Sequence, residues 1–258
     1  QTDEFLGTLN GVEEDQAEQN EEGLILYARN KSLIPDSDLD GYFIYKNDDP
    51  VTGFCAPPST RRDNNGSCFN SVSDDGEIYT LGVRLSGKFA KNWKLYAEGA
   101  GQWGQRRGND MSGLGLNSRL TYELGDALKN APHIGYEYLS GDDPSTRKNE
   151  AFDPLWGRWP QWSELYVYTY AIETLIGEIT NLHRLNLGWD LQPHETIKLS
   201  FDYHALWADE NTRRGAVGFS DNGNFRGNLF AAWLRYKFNK HVGGHLVAEY
   251  FDPGSYYQ

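Results

Sequence analysis

From Ile197 to Trp207 the chain alternates with a period of two. Ile197, Leu199, Phe201, Tyr203, Ala205 and Trp207 fall on one face, and Lys198, Ser200, Asp202, His204 and Leu206 on the other. Successive side chains point to opposite sides only in an extended strand, so such a run cannot be an amphipathic helix. The pattern recurs at Tyr79–Phe89, Leu114–Leu124, Arg184–Leu191, Phe230–Phe238 and Leu246–Tyr250. The spacing predicts ten strands, at 22–31, 39–47, 77–90, 92–105, 111–125, 131–140, 182–191, 195–208, 228–239 and 241–252.

Most of these runs exceed the 5–6 residues of a common globular strand and suit a tilted crossing of a bilayer. A mean hydropathy of −0.68 excludes a helical membrane protein, but not a membrane barrel, whose strands average lipid-facing and water-facing residues. Tyr (16) and Trp (8) are plentiful, as suits rings with polar tips at a membrane interface. A soluble sandwich shares the alternation, so the connections decide. Short links are expected at 90–92, 192–195 and 239–241, with modest ones at 32–38 and 125–131. Long ones are expected near 48–76, 105–112, 140–181 and 208–227, and the two kinds alternate strictly. Outer-membrane barrels have this asymmetry, with short periplasmic turns and long extracellular loops. The expected class is therefore all-β: an antiparallel transmembrane β-barrel segment over 22–258, in the bacterial outer membrane, with outer-membrane lipid around it. Residues 1–21 read as an acidic lead-in or extracellular loop. Both ends fall on the long-loop side, and Tyr256-Tyr257-Gln258 is not a closing strand with a terminal Phe. Ten consecutive strands of a longer barrel are expected.

A net charge of −13 without a Lys/Arg cluster argues against a nucleic-acid partner. Cys55 and Cys68 lie in one Pro/Asn/Gly-rich stretch, where a local disulfide in an oxidising compartment is expected and two free thiols are the alternative. The six His have no metal-ligand spacing, and neither a G-x-S-x-G elbow nor a phosphate loop occurs. No metal, cofactor or catalytic residue is assigned, and the chain is not expected to be an enzyme.

The block from Tyr138 to Asn211 resembles the bacterial alginate-export outer-membrane porin family. The residues that carry the likeness are Tyr138 to Pro144 (YLSGDDP), Asn149 to Leu155 (NEAFDPL), Trp162 to Tyr170 (WSELYVYTY) and Asn181 to Leu185 (NLHRL), closed by Asp202-Tyr203-His204 and Ala208 to Asn211 (ADEN). Upstream, Tyr42 to Lys46 and Thr80 to Arg84 look similar as well. The resemblance implies a barrel of about 18 strands and a polyuronate, an acidic polysaccharide, as cargo. It leaves room for periplasmic export partners.

Passage of such a polymer needs a hydrated path and charges that attract without trapping. The candidate path cations are Arg84, Arg119, Arg184, Lys198, Arg235 and Lys237, since the planar Arg fork donates to two carboxylate oxygens at once. Glu98, Glu123, Glu137, Asp202 and Glu249 interleave with them. The plainer alternative makes these residues structural ion pairs. Lys88, Lys91, Lys94 and Lys240 sit near short turns and mark the periplasmic interface. The connection at 140–181 is too long for a simple link. Its aromatics, Phe152, Trp156, Trp159, Trp162 and Tyr166, either fold inward as a constriction, stack on sugar rings, or pack on themselves. Asp142-Asp143-Pro144 reads as turn chemistry.

Two rival functions remain at this level. A membrane-embedded barrel hydrolase would draw on Ser200, Asp202 and His204, which share a strand face but stand roughly 6.5–7 Å apart step by step. A soluble carbohydrate-binding β domain would not partition into the outer membrane.

Overall fold

The computed structural model describes residues 21–48, 76–106, 108–157, 162–166 and 179–257. Its strands are β1 (Glu21–Asn30), β2 (Ser37–Asp48), β3 (Gly76–Ala90), β4 (Trp93–Arg106), β5 (Asn109–Tyr122), β6 (Ala131–Leu139), β7 (Leu182–His194), β8 (Ile197–Trp207), β9 (Phe225–Lys237) and β10 (Gly243–Pro253). They form one antiparallel sheet in strict chain order. Each strand thus pairs with its sequence neighbours, as expected where consecutive strands are joined as hairpins.

The two faces of this sheet invert the usual arrangement. On one face stand Leu81, Phe201 and Leu246, at 58%, 50% and 67% exposure. On the other, Asp40, Lys46, Thr80, Gln102, His133, Asn186 and His204 are buried. Water expels the first set and solvates the second, so this distribution is stable only with hydrocarbon outside and polar matter inside. Aromatic rings gather near strand ends on the apolar face. Tyr79 stacks on Trp103 at 6.0 Å, and Trp93 meets Tyr122 at 4.7 Å.

The connection expected to be long at 105–112 is short. Arg106 pairs with Asn109, which leaves only residues 107–108 between β4 and β5. Gly108, at φ 75°, supplies the left-handed backbone that a tight hairpin needs. The polar run from Gln105 to Asp110 has loop composition, yet it extends the two strands beyond their apolar band. Long and short connections therefore do not alternate strictly. The β7–β8 link is also tighter than expected, because β7 runs to His194 through an irregularity after Leu191. Of the lead-in read at 1–21, Glu21 begins β1; residues 1–20, with Cys55, Cys68 and Trp159, lie outside the described residues.

Candidate functional site

The candidate site is the polar face, and the sheet register places the residues on it. Arg84, Glu98, Asn117, Glu137 and Arg184 share that face through the pairs Arg84↔Glu98, Glu98↔Asn117, Asn117↔Glu137 and Glu137↔Arg184. Arg119, Lys198, Asp202, Arg235, Lys237 and Glu249 have the same parity on their strands. Glu123 follows directly after β5. All eleven predicted charged positions thus fall on one side of the sheet, and they divide into three settings.

In the first setting the charges neutralise one another. Asp40 is gripped by two guanidinium forks: Arg29 Nε lies 2.7 Å from Oδ1, and Arg84 Nε and Nη2 lie 2.9 and 2.5 Å from Oδ2. Both arginines also donate to the Tyr27 hydroxyl at 2.8 Å. Glu98 accepts from Tyr42 at 2.7 Å and from Tyr96. Arg184 donates to Glu137 at 2.7 Å and to Nδ1 of His204 at 3.2 Å. Arg119 donates to Asp190 at 2.8 Å and to Nδ1 of His133 at 3.0 Å. An arginine cannot accept, so Nδ1 of His133 carries no proton and its Nε2–H donates to Asp202, 3.0 Å away. Asn186 also donates to Asp202, at 2.9 Å.

Ser200, Asp202 and His204 therefore do not form a relay. Asp202 is held by His133 and Asn186, His204 accepts from Arg184, and Ser200 meets Arg235 at 3.4 Å. At the short-turn end Glu123 takes Lys94 at 2.5 Å and Lys88 at 3.3 Å.

In the second setting the described parts of the long β6–β7 connection lie on the polar face. Asp153 and Gln102 exchange hydrogen bonds, each of 2.7 Å. Phe152 occupies the space above Gly113 and Gly115, where a Cβ on Gly115 would meet its ring at 2.8 Å. Trp156 covers Gly23 in the same manner and stands 5.9 Å from the Lys46 ammonium. Trp162 lies 5.1 Å from the Arg184 guanidinium. Tyr166 is fully buried with Leu182, Leu206, Leu229 and Phe251. Glu249, expected among the path acids, accepts instead from the Leu165 N–H at 2.6 Å and the Ser163 hydroxyl at 3.3 Å. The described parts of this connection thus fold inward. Beneath them lies a cleft of about 750 Å³, lined by Arg119, Arg184, Arg235, Trp162 and Trp233 and also by Glu137, Asp190 and Asp202, of which Glu137 pairs with Arg184 and Asp190 with Arg119.

In the third setting the cations are unneutralised. Lys198 and Arg235 are directly opposed on β8 and β9. Among the described residues Lys198 and Lys237 have no carboxylate partner, and Arg235 meets only the Ser200 hydroxyl and the Trp233 ring, 4.7 Å away. All three are exposed.

Acids in the connections titrate by their local setting. Burial raises Asp142 above its ordinary value, and burial, then the charges of Asp143 and Asp209, raise Glu210. Asp143 is lowered by the Ser145 N–H, and Asp126 by the Asn130 side chain. Asp143 also accepts that Ser145 N–H at 2.8 Å, as an Asx turn does.

Sequence reasoning missed Arg29, Asp40, His133, Asn186 and Trp233 as site residues. Strand parity would have found three of them, because His133 alternates in phase with Glu137, Asn186 with Arg184 and Trp233 with Arg235; Arg29 and Asp40 lie on β1 and β2, which carried no charged candidate, and only the sheet register brings them to Arg84.

A sequence model of the alginate export family matches residues 9–258. The chain belongs to the alginate export family. This alginate-export chain resides in the bacterial outer membrane. A search of curated proteins finds no match. Among solved structures it is similar to OccK11 (OpdR) of Pseudomonas aeruginosa, with a TM-score of 0.49 and 15% identity over 93% of this chain and 54% of that one. The chain thus spans about half the length of that protein.

Proposed function

We propose that this alginate-export chain forms part of an outer-membrane channel that passes an anionic polysaccharide, or another small acidic solute, by passive diffusion along its charged face. The observation that carries the reading is the rung of Lys198 and Arg235. Like charges directly opposite on adjacent strands destabilise a sheet. Neither meets a carboxylate among the described residues, so the arrangement contributes nothing to folding that a neutral pair would not. It does offer two cationic donors to a passing polyanion. The neutralised networks around Asp40, Asp202 and Glu137 keep the rest of the face hydrated without deep anion traps. Transport of this kind breaks no bond, which agrees with the separate engagement of Ser200, Asp202 and His204.

In this reading the short turns face the periplasm, the long connections face outward, and periplasmic partners deliver the cargo. Planar-bilayer recording tests it. The protein is expected to prefer anions and to be blocked by oligouronate. The doubly charge-reversed variant, Arg119→Glu with Arg235→Glu, is expected to lose both properties. Unchanged selectivity and unchanged block in that variant rule out the basic path.

A further inference from the structure

We infer that Trp233, with Lys198 and Arg235, forms a binding subsite for a sugar acid, an inference that rests on the channel reading above. Trp233 belongs to the polar face of β9, where lipid does not account for an indole. Its direct cross-strand neighbours, Ser200 and Val247, are too small to cover the ring, so Arg235 and His245 are the side chains that meet it and the rest of its surface borders the cleft. It is half-buried and borders the cleft beneath the inward-folded connection. A cleft of about 750 Å³ falls within the range of small-molecule sites.

The charges around the ring give the site its chemistry. The Arg235 guanidinium lies 4.7 Å from the centre of the indole, and His245 lies 5.5 Å away. Attraction to the electron-rich ring face restrains a side chain that otherwise has many rotamers, so the guanidinium fork is held in place. Lys198 adds an ammonium from the opposed position on β8. A pyranose presents a C–H face that suits an aromatic surface, and a uronate adds a carboxylate that suits the fork. An inorganic anion or an acidic peptide engages only the cations. A neutral sugar engages only the ring. A sugar acid engages both, which makes Trp233 the residue that distinguishes uronate from other polyanions.

The test compares block of single channels by a uronate hexamer, by a glutamate hexamer and by a neutral hexasaccharide. The uronate is expected to block most tightly, by about tenfold over the glutamate peptide. Trp233→Ala is expected to bring uronate block down to the peptide level, and Trp233→Phe to keep most of the difference. Equal block by the two anions in the unaltered protein overturns the subsite, as does uronate block that Trp233→Ala leaves unchanged. Failure of the channel reading has a separate signature: no anion preference in the unaltered protein, and none lost in Lys198→Glu with Arg235→Glu. Outer-membrane assembly of each variant, read by heat-modifiable gel mobility, separates loss of binding from loss of folding.

Discussion

Lys198 and Arg235 stand directly opposite each other on β8 and β9, two cations on one rung with no carboxylate between them among the described residues. A rung of this kind costs stability, and the proposed channel gives it a use. Lys198→Glu converts it into an opposite-charge pair, and stability is expected to rise by roughly 0.2–1 kcal/mol, the range of a cross-strand pair. Anion preference is expected to fall in the same variant. Urea unfolding in micelles reads the first quantity and reversal potential in a salt gradient the second. A variant that gains stability and keeps its anion preference contradicts the role given to this rung.

The apolar face is tested by a matched pair of substitutions. Phe201 projects from the middle of β8 at 50% exposure. Phe201→Arg places a charge in hydrocarbon and is expected to cost about 2–4 kcal/mol of folding free energy in lipid. Asn117→Arg puts the same side chain on the polar face, opposite Glu98 and Glu137, and is expected to be nearly neutral. Reversible unfolding in lipid vesicles distinguishes the two. Similar costs at both positions contradict the assignment of faces.

The strands were legible in the sequence because lipid and water select opposite chemistry at successive residues. Runs such as Ile197–Trp207 therefore announce both their conformation and their two faces, and the eleven charged candidates landed on one face by parity alone. Their partners were not legible. Asp40 meets Arg29 and Arg84, which lie 11 and 44 positions away, and strand register decides such contacts. The turn after Arg106 was misread because β4 and β5 continue past their apolar band on polar residues, where composition no longer separates strand from loop. The role of Glu249 was hidden for a third reason. Its partner, the Leu165 N–H, is a backbone group that side-chain chemistry does not reveal.

Acidity should tighten the long connections around Asp142 and Glu210. Both carboxyls are raised by burial. A group with a raised folded-state pKa contributes stability that is fully present below its unfolded value and is lost as pH rises through its folded value. The unfolded references are 3.8 and 4.5, so the packed arrangement is favoured near pH 4 and weakens toward neutrality. Asp143 is lowered and acts in the opposite sense, so the two raised carboxyls are best read by difference. Asp142→Asn with Glu210→Gln is expected to abolish most of the gain in hydrogen-exchange protection at residues 140–150 between pH 7 and pH 4. Equal pH dependence in this variant and the unaltered protein refutes the assignment.

Glu249, on the last strand β10, fixes the inward-folded connection on the polar face they share. Its carboxylate accepts the Leu165 N–H at 2.6 Å and the Ser163 hydroxyl at 3.3 Å, while Ser163 in turn accepts the Tyr166 N–H at 2.9 Å. A hydrogen bond to a charged acceptor contributes roughly 1.5–3 kcal/mol, so Glu249→Ala is expected to open this turn without unfolding the sheet. Tyr166 remains anchored by Leu182, Leu206 and Leu229, which confines the change to the turn itself. Exchange at the Leu165 amide should accelerate by about tenfold to a hundredfold, the conversion of that free energy. Glu249→Gln keeps an acceptor in place and should recover most of the protection. Because Trp162 is carried on the same turn and borders the cleft, single-channel conductance should rise in Glu249→Ala and return toward normal in Glu249→Gln. Faster exchange without a change in conductance would mean that the turn is anchored here but does not restrict the path.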